Sequence, residues 1–411
     1  MSEFDLIALG DIADIRMGQS PDSSSYTDDD RFMPFLQGCG DFSEEFPETH
    51  VFCANPGKVA PEGSVLVSVR APVGTTNIAD QEYCIGRGLA SVKSSVLPAV
   101  YLREIFNLSA SFLYRRAQGS TFDAISSQDL RAFPIPVPKK KEQLEQLVDI
   151  FQSVNLEIRT TQALIDKYGV IKQGMMADLF SRGIDPATAQ LRPSVQDAPE
   201  LYVDSILGPI PCGWNVNRFD LIAEVIDPNP SHRYPESVKF GGVPIASTEN
   251  FDGDDEFDLS KCKNISEAEF NKQLERCNYR CDDVIFARKG RIGFARKYGM
   301  AKKAFSHTLV VMKAKTGIDP SYLLWLVRSE QFLSCIDFEM NSNSGVPTLG
   351  IDVIKRIPSL MPSEAEQGLI ARVLDQLNEV LSKEKKKLRQ LHLKKAGLMR
   401  DLLTGKVPVI A

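Results

Sequence analysis

Two stretches of this chain, 223 positions apart, carry the same apolar spacing, and that duplication limits the available folds more than any other feature. After Pro138 the apolar residues fall in alternating steps of three and four, through Leu147, Phe151, Val154, Ile158, Ile165 and Tyr168. The second run reads Ile370, Leu374, Leu377, Leu381, Leu388 and Leu391 at the same intervals. Both runs break at the same rungs, Thr161 against Glu384 and Lys172 against Lys395. Residues three and four apart share one side of an α-helix, so about five such repeats without a proline predict a long helix with a coiled-coil seam. A helix from 142 to 181 would run roughly 60 Å. Two matching seams predict that the helices pack on each other in antiparallel fashion, with buried polar rungs fixing the register. Such packing would let Lys172 approach Glu384.

The repeat extends beyond the seams. Lys172-x-Gly174-x-Met176-x-Asp178-Leu179 returns as Lys395-x-Gly397-x-Met399-x-Asp401-Leu402, and Pro134 and Pro138 return as Pro358 and Pro362. Ser68-x-Arg70-x-x-Val73-Gly74 aligns with Ala287-x-Lys289-x-x-Ile292-Gly293, and residues 85–93 align with 305–313. A period this long is no solenoid, whose repeats run to about 50 residues at most. It predicts a duplicated domain-plus-helix module: a first domain over 1–138, its helix over 139–182, a linker over 183–212, a second domain over 213–362 and its helix over 363–411. Five prolines between 184 and 212 mark that linker as an irregular connector. Short β-like runs (64–69, 88–92, 284–287, 308–312) and helical patches (101–116, 322–338) predict α+β architecture, two pseudo-symmetric α/β domains each with a curved mixed sheet.

The hydrophobic fraction of 43% and charged fraction of 25% are those of an ordinary globular protein. No run approaches the roughly 20 apolar residues of a membrane span. The acidic start, Met1-Ser2-Glu3-Phe4-Asp5, is unlike a signal region, which points to the cytoplasm. Eight scattered cysteines without a C-x-x-C pair read as reduced structural thiols, and no metal site is expected. The histidines at 50, 232, 307 and 392 are isolated, and neither a phosphate loop nor an H-E-x-x-H motif is present. Asp227-Pro228-Asn229-Pro230 lacks the adjacent prolines and the aromatic of an adenine methyltransferase motif. The chain is therefore expected to catalyse nothing by itself.

The net charge of −6 opposes a nucleic-acid partner only as a sum. Residues 22–48 hold eight acids, while 280–303 hold eight basic residues against Asp282 and Asp283. In that second segment Arg288-Lys289-Gly290-Arg291 follows a strand-like run, with Arg296, Lys297, Lys302 and Lys303 soon after. Glycine allows close backbone approach, and arginine can bracket a guanine edge, so these seven cations are candidate DNA contacts. An exposed hairpin with solubilising charges is the equal alternative. The first domain offers Arg70, Arg87, Lys93, Arg115 and Arg116. Loops Gln37-Gly38-Cys39-Gly40 and Ser247-Thr248-Glu249-Asn250 sit at matching places and either reach base edges or simply turn the chain.

Taken in order, Gly174-x-Met176-x-Asp178-Leu179-Phe180-Ser181-Arg182-Gly183, Leu191-Arg192-Pro193, Pro211-x-Gly213-Trp214, Pro362-x-x-x-Glu366-Gln367 and the ending Gly397-Leu398-Met399-x-Asp401-Leu402-Leu403-Thr404-Gly405 resemble the specificity (S) subunits of type I DNA restriction–modification systems. The resemblance spans nearly the whole chain. It implies two target-recognition domains, one per half of a bipartite double-stranded DNA site, spaced by an antiparallel coiled coil. It also implies two modification (methyltransferase) subunits and restriction subunits as partners, with S-adenosylmethionine held by the modification subunits and no cofactor here. The first domain departs from the pattern: its loop after Ser68 is depleted of cations, so contacts there do not follow by analogy with Arg288, Lys289 and Arg291. The rival expectation is a duplicated coiled-coil scaffold that binds proteins without reading DNA.

Overall fold

The computed structural model describes residues 4–44, 46–117, 124–231, 233–251, 255–340 and 348–407. The chain divides into two compact units, Met1–Ala163 with Lys385–Ala411, and Leu164–Glu384. Two long helices, Lys141–Ser181 and Glu364–Leu402, each give one half to either unit.

In the first unit, strand Phe4–Ala8 pairs with Pro134–Pro138 and closes the domain's two ends together. Behind it lies a four-stranded antiparallel sheet in the order Ala13–Met17, Leu89–Ser94, Val65–Ser68, Thr76–Ile78. Every residue of Val65–Ser68 is buried. Side chains alternate across a strand, so this strand feeds two cores: Val65 and Val67 join the helix-side core, and Leu66 joins a second core with Leu36, Tyr83 and Ile85. That second core belongs to a five-stranded sheet in which Met33–Leu36 runs parallel to Tyr83–Ile85.

The second unit repeats the plan. Asn215–Arg218 pairs with Pro358–Met361, and Ala223–Ile226, Leu309–Ala314, Val284–Ala287 and Ala295–Lys297 form the antiparallel sheet. Val284 and Phe286 face the helix side while Ile285 and Ala287 face the outer core. A further sheet sets Val243–Ala246 parallel to Ala304–Phe305. Each domain thus holds separate sheets rather than the single curved mixed sheet expected, because the central strand is buried on both faces. Each helical patch is also split in two: Ala99–Leu108 and Ala110–Ala117, then Pro320–Leu326 and Glu330–Met340.

The two seams meet antiparallel within each unit. In the first, Leu147 and Phe151 share a core with Met399, Leu402 and Leu403, and Lys387 reaches Glu157 at 3.3 Å. In the second, Leu179 and Phe180 pack with Ile370 and Leu374. Leu147, Phe151, Val154, Ile165, Ile370, Leu374, Leu381 and Leu391 are all buried, while Ile158, Tyr168, Leu377 and Leu388 are partly so. Lys172 donates to Asn378 Oδ1 at 2.6 Å. The first long helix ends at Gly183, whose φ of +66° suits the left-handed residue that closes a helix. A Cβ there would run into Glu366 and Trp214.

The stretch expected as a bare connector carries two hairpins, Ile184–Asp185 with Gln190–Leu191 and Tyr202–Ser205 with Gly208–Pro211. Ile184, Ile210 and Trp214 sit in the second unit's core. Buried Glu366 accepts from the Ile184 amide at 2.9 Å and pairs with Arg192 through both oxygens. The stretch is docked; Pro209 and Pro211 lie in a two-stranded hairpin, where both strands are edges, and Pro186, Pro193 and Pro199 lie outside the strands.

Candidate nucleic-acid interface

Three loops converge at one end of each domain, held by the same backbone hydrogen bonds. In the first unit Gly86 N donates to Leu36 O at 2.8 Å, Val69 N to Gly88 O at 2.9 Å, and Gly74 N to Ser68 O at 2.9 Å. Their counterparts are Ser306 N to Ala246 O at 2.9 Å, Arg288 N to Thr308 O at 3.0 Å, and Gly293 N to Ala287 O at 3.1 Å. Gly74 and Gly293 both have φ of +87°, a conformation that favours glycine, so each loop makes the same tight turn back onto its strand. The frame is therefore duplicated at these three bonds, and the two copies carry different side chains on it.

On the second frame the loop cations separate by role. Arg288 is 5% exposed; its guanidinium donates to His307 O at 3.0 Å and pairs with Asp227 at 3.0 Å. It occupies the position that Val69 fills, at 3% exposure, in the first domain. Arg288 is a core residue, correcting its assignment as a DNA contact. Arg296 and Lys303 are corrected in the same way. Arg296, 7% exposed, stands 5.2 Å over the Phe251 ring and 3.6 Å from Asp255. Lys303, 2% exposed, lies 4.2 Å from the Tyr298 ring centre and 5.3 Å from that of Phe257. Lys297 donates to Ser321 at 2.8 Å, and Lys302 pairs with Glu267 at 2.6 Å, so both are engaged on their own surface. The half-buried Lys289 and exposed Arg291 remain on the outer side of the loop, with Arg291 donating to Phe251 O at 3.0 Å.

Beside this loop, Ser247, Thr248, Asn250, Ser306 and Thr308 line an open cleft of about 450 Å³, with Tyr234, Lys261 and Lys263 on its wall. The Lys263 ammonium is 5.9 Å from the Tyr234 ring centre. Glu249 and Asp258 also line it; its hydroxyls, amide, two cations and aromatic face are groups that meet base edges and unstacked bases. The sequence reading named the Ser247–Asn250 loop but missed Tyr234, Lys261 and Lys263, which lie far from the cation run and carry no motif.

On the first frame Arg70 and Arg87 are exposed at the same end of paired strands Val65–Ser68 and Leu89–Ser94. Gly88 packs so closely on the Gln37 carbonyl that a Cβ would come within 2.8 Å of it, so these loops press together at glycines where the second domain has Thr308. Lys93 donates to Glu62 O at 2.8 Å, on a different strand end, and exposed Arg115 lies on helix Ala110–Ala117. The Arg116 side chain and His232 lie outside the described residues.

Burial pushes the Lys303 ammonium down to about 8. A lysine whose folded value is depressed opposes folding below that value, and the penalty fades as pH rises toward its ordinary 10.5. Lys303→Met should therefore leave the unit at least as stable at pH 7, and the variant's advantage should shrink between pH 8 and 10.5. Urea melts at several pH values measure this.

Among the described residues no group of three His, Cys, Asp or Glu could hold a metal ion, and no helix is long and apolar enough to cross a membrane.

The geometry defines a class first: a duplicated α+β protein presenting two equivalent loop clusters on a shared pair of helices. Residues 1–167 match the family described as type I restriction modification DNA specificity domain. The putative type I restriction enzyme MjaX specificity subunit of Methanocaldococcus jannaschii is 40% identical over 133 residues, a match spanning only about a third (31%) of either chain. The MjaVIII specificity subunit of the same organism is 23% identical over 77% of this chain and 72% of its own. In fold, the S subunit of a type I restriction–modification system from M. genitalium superposes with a TM-score of 0.65, covering 98% of this chain and 96% of that one at 14% identity. The first module is thus similar to type I DNA specificity domains, and the chain as a whole shares the fold of the S subunit it superposes on.

Proposed function

We propose that this chain is the DNA-specificity subunit of a type I restriction–modification enzyme, reading a bipartite duplex target with one domain per half-site. The observation that carries the reading is the duplicated three-loop frame bearing different side chains. One frame with Lys289, Arg291 and a polar cleft, and another with Arg70 and Arg87, suits two different half-sequences. The antiparallel helices act as the spacer. Two modification subunits and the restriction subunits assemble on the chain in the cytoplasm. S-adenosylmethionine is bound by the modification subunits, and this chain supplies recognition without catalysis. The relatives' names support the assembly.

Reconstitution tests this. The chain alone should bind duplex DNA weakly, and with modification subunits it should select one bipartite sequence. Affinity should fall as salt rises, because phosphate contacts release counterions. Equal binding to all duplexes in the assembled state contradicts the reading.

A further inference from the structure

The polar breaks in the two seams have partners outside the seam. In the first unit Glu104, on helix Ala99–Leu108, is fully buried. Its Oε1 accepts from Asn155 of the first long helix at 3.0 Å and from Lys395 of the second at 2.9 Å. Asn107 donates to the other oxygen at 3.4 Å, and Arg103 stands 3.6 Å away. One carboxylate thus joins the domain to both helices.

The second unit builds the counterpart crosswise. Asn378 and Lys172 are the repeat equivalents of Asn155 and Lys395, but here the asparagine comes from the second helix and the lysine from the first. Asn378 accepts from Lys172 at 2.6 Å and donates to Asp255 at 2.5 Å. Asp255 is also held by Arg328 at 2.7 Å. The position of Glu104 is taken by Trp325, as the matching phenols show: Tyr101 donates to Pro136 O at 2.7 Å and Tyr322 to Leu360 O at 3.0 Å. Lys172 lies over the Trp325 ring at 4.7 Å. The same helix pair of Lys and Asn therefore grips each domain, through a buried carboxylate from a helix in one and a tryptophan face plus a loop aspartate in the other.

We infer that these two rungs are positioning residues that fix the angle at which each domain sits on its own helices, and so the angle at which its loops meet DNA. Apolar contact between domain and helix is non-directional and tolerates slip. A buried carboxylate is satisfied only when its donors from all elements are in place, which makes the contact directional. Stability alone does not call for these residues, since replacing a buried ion pair with apolar side chains is often neutral or stabilising. The inference rests on the DNA-reading function proposed above.

The test uses the full assembled complex with Glu104→Gln and Lys395→Met combined, which removes both charges of that pair and leaves Arg103, 16% exposed, beside the new amide oxygen. Lys395→Met alone should lower the melting temperature, and the double variant should recover it. Spin labels placed at exposed Asp30 and Asp149 by a non-thiol route report the domain–helix distance within the unit. The double variant should broaden that distribution and weaken binding of the bipartite duplex about tenfold, a loss typical of a coupled contact. A distribution and affinity equal to the parent's overturn the inference. Absence of any bipartite preference in the parent complex, with the broadened distribution still seen, instead overturns the DNA-reading function and leaves the positioning role standing.

Discussion

Arg288→Ala is expected to destabilise the second unit by about 3 kcal/mol or more, the cost of stranding one member of a buried ion pair. Asp227, with a side chain only 13% exposed, would lose the guanidinium that faces it, and the His307 carbonyl would lose a donor. Against a total stability of roughly 5–15 kcal/mol, that loss is large. Urea denaturation should show the midpoint falling with little change in slope. Arg288→Met combined with Asp227→Leu should regain most of it, because no unpaired charge then stays inside. An Arg288→Ala protein as stable as the parent, yet unable to bind DNA, would return this arginine to the reading surface.

Lys289→Ala with Arg291→Ala should behave in the opposite way. Lys289 is half-buried and Arg291 exposed, and substitutions at such surface positions cost within about 0.5 kcal/mol each. Losing the Arg291 bond to the carbonyl of buried Phe251 adds about 1 kcal/mol, the usual net cost of one hydrogen bond. The fold should survive while affinity for the bipartite duplex falls. If both cations meet phosphates, the slope of log affinity against log salt should flatten by about 1.8. If Arg291 meets a guanine edge, the loss should depend on sequence and cost about 1–3 kcal/mol for the correct base. Titrations at four salt concentrations, on cognate and altered duplexes, separate the two.

The seams were legible because helical periodicity is a property of the chain itself: Leu147, Phe151, Ile370 and Leu374 fall in step and are buried in step. The hairpins of the linker were not legible, since strands of two to four residues with prolines show no alternation to read. The loop cations misled for a different reason. A run of charge suggests a solvated face, but charge is admitted to a core when a partner waits there, and Asp227 and Asp255 come from distant parts of the chain. One clue was present: Val69 occupies the place of Arg288 in the first copy, and an apolar residue at a repeated position marks an inward direction. The polar rungs were visible as breaks in the seam, yet Glu104 and Trp325 lie on other elements, so their partners emerged only from the packing.

The central claim is that each domain reads its own half of the target. Base-resolved sequencing of methylated bases in DNA treated with the reconstituted complex tests it directly, comparing the parent with the Lys289→Ala, Arg291→Ala variant. One half of the bipartite motif should relax while the other half and the intervening length stay as in the parent. Relaxation of both halves together, or an unchanged motif in a folded and assembled variant, would contradict the account.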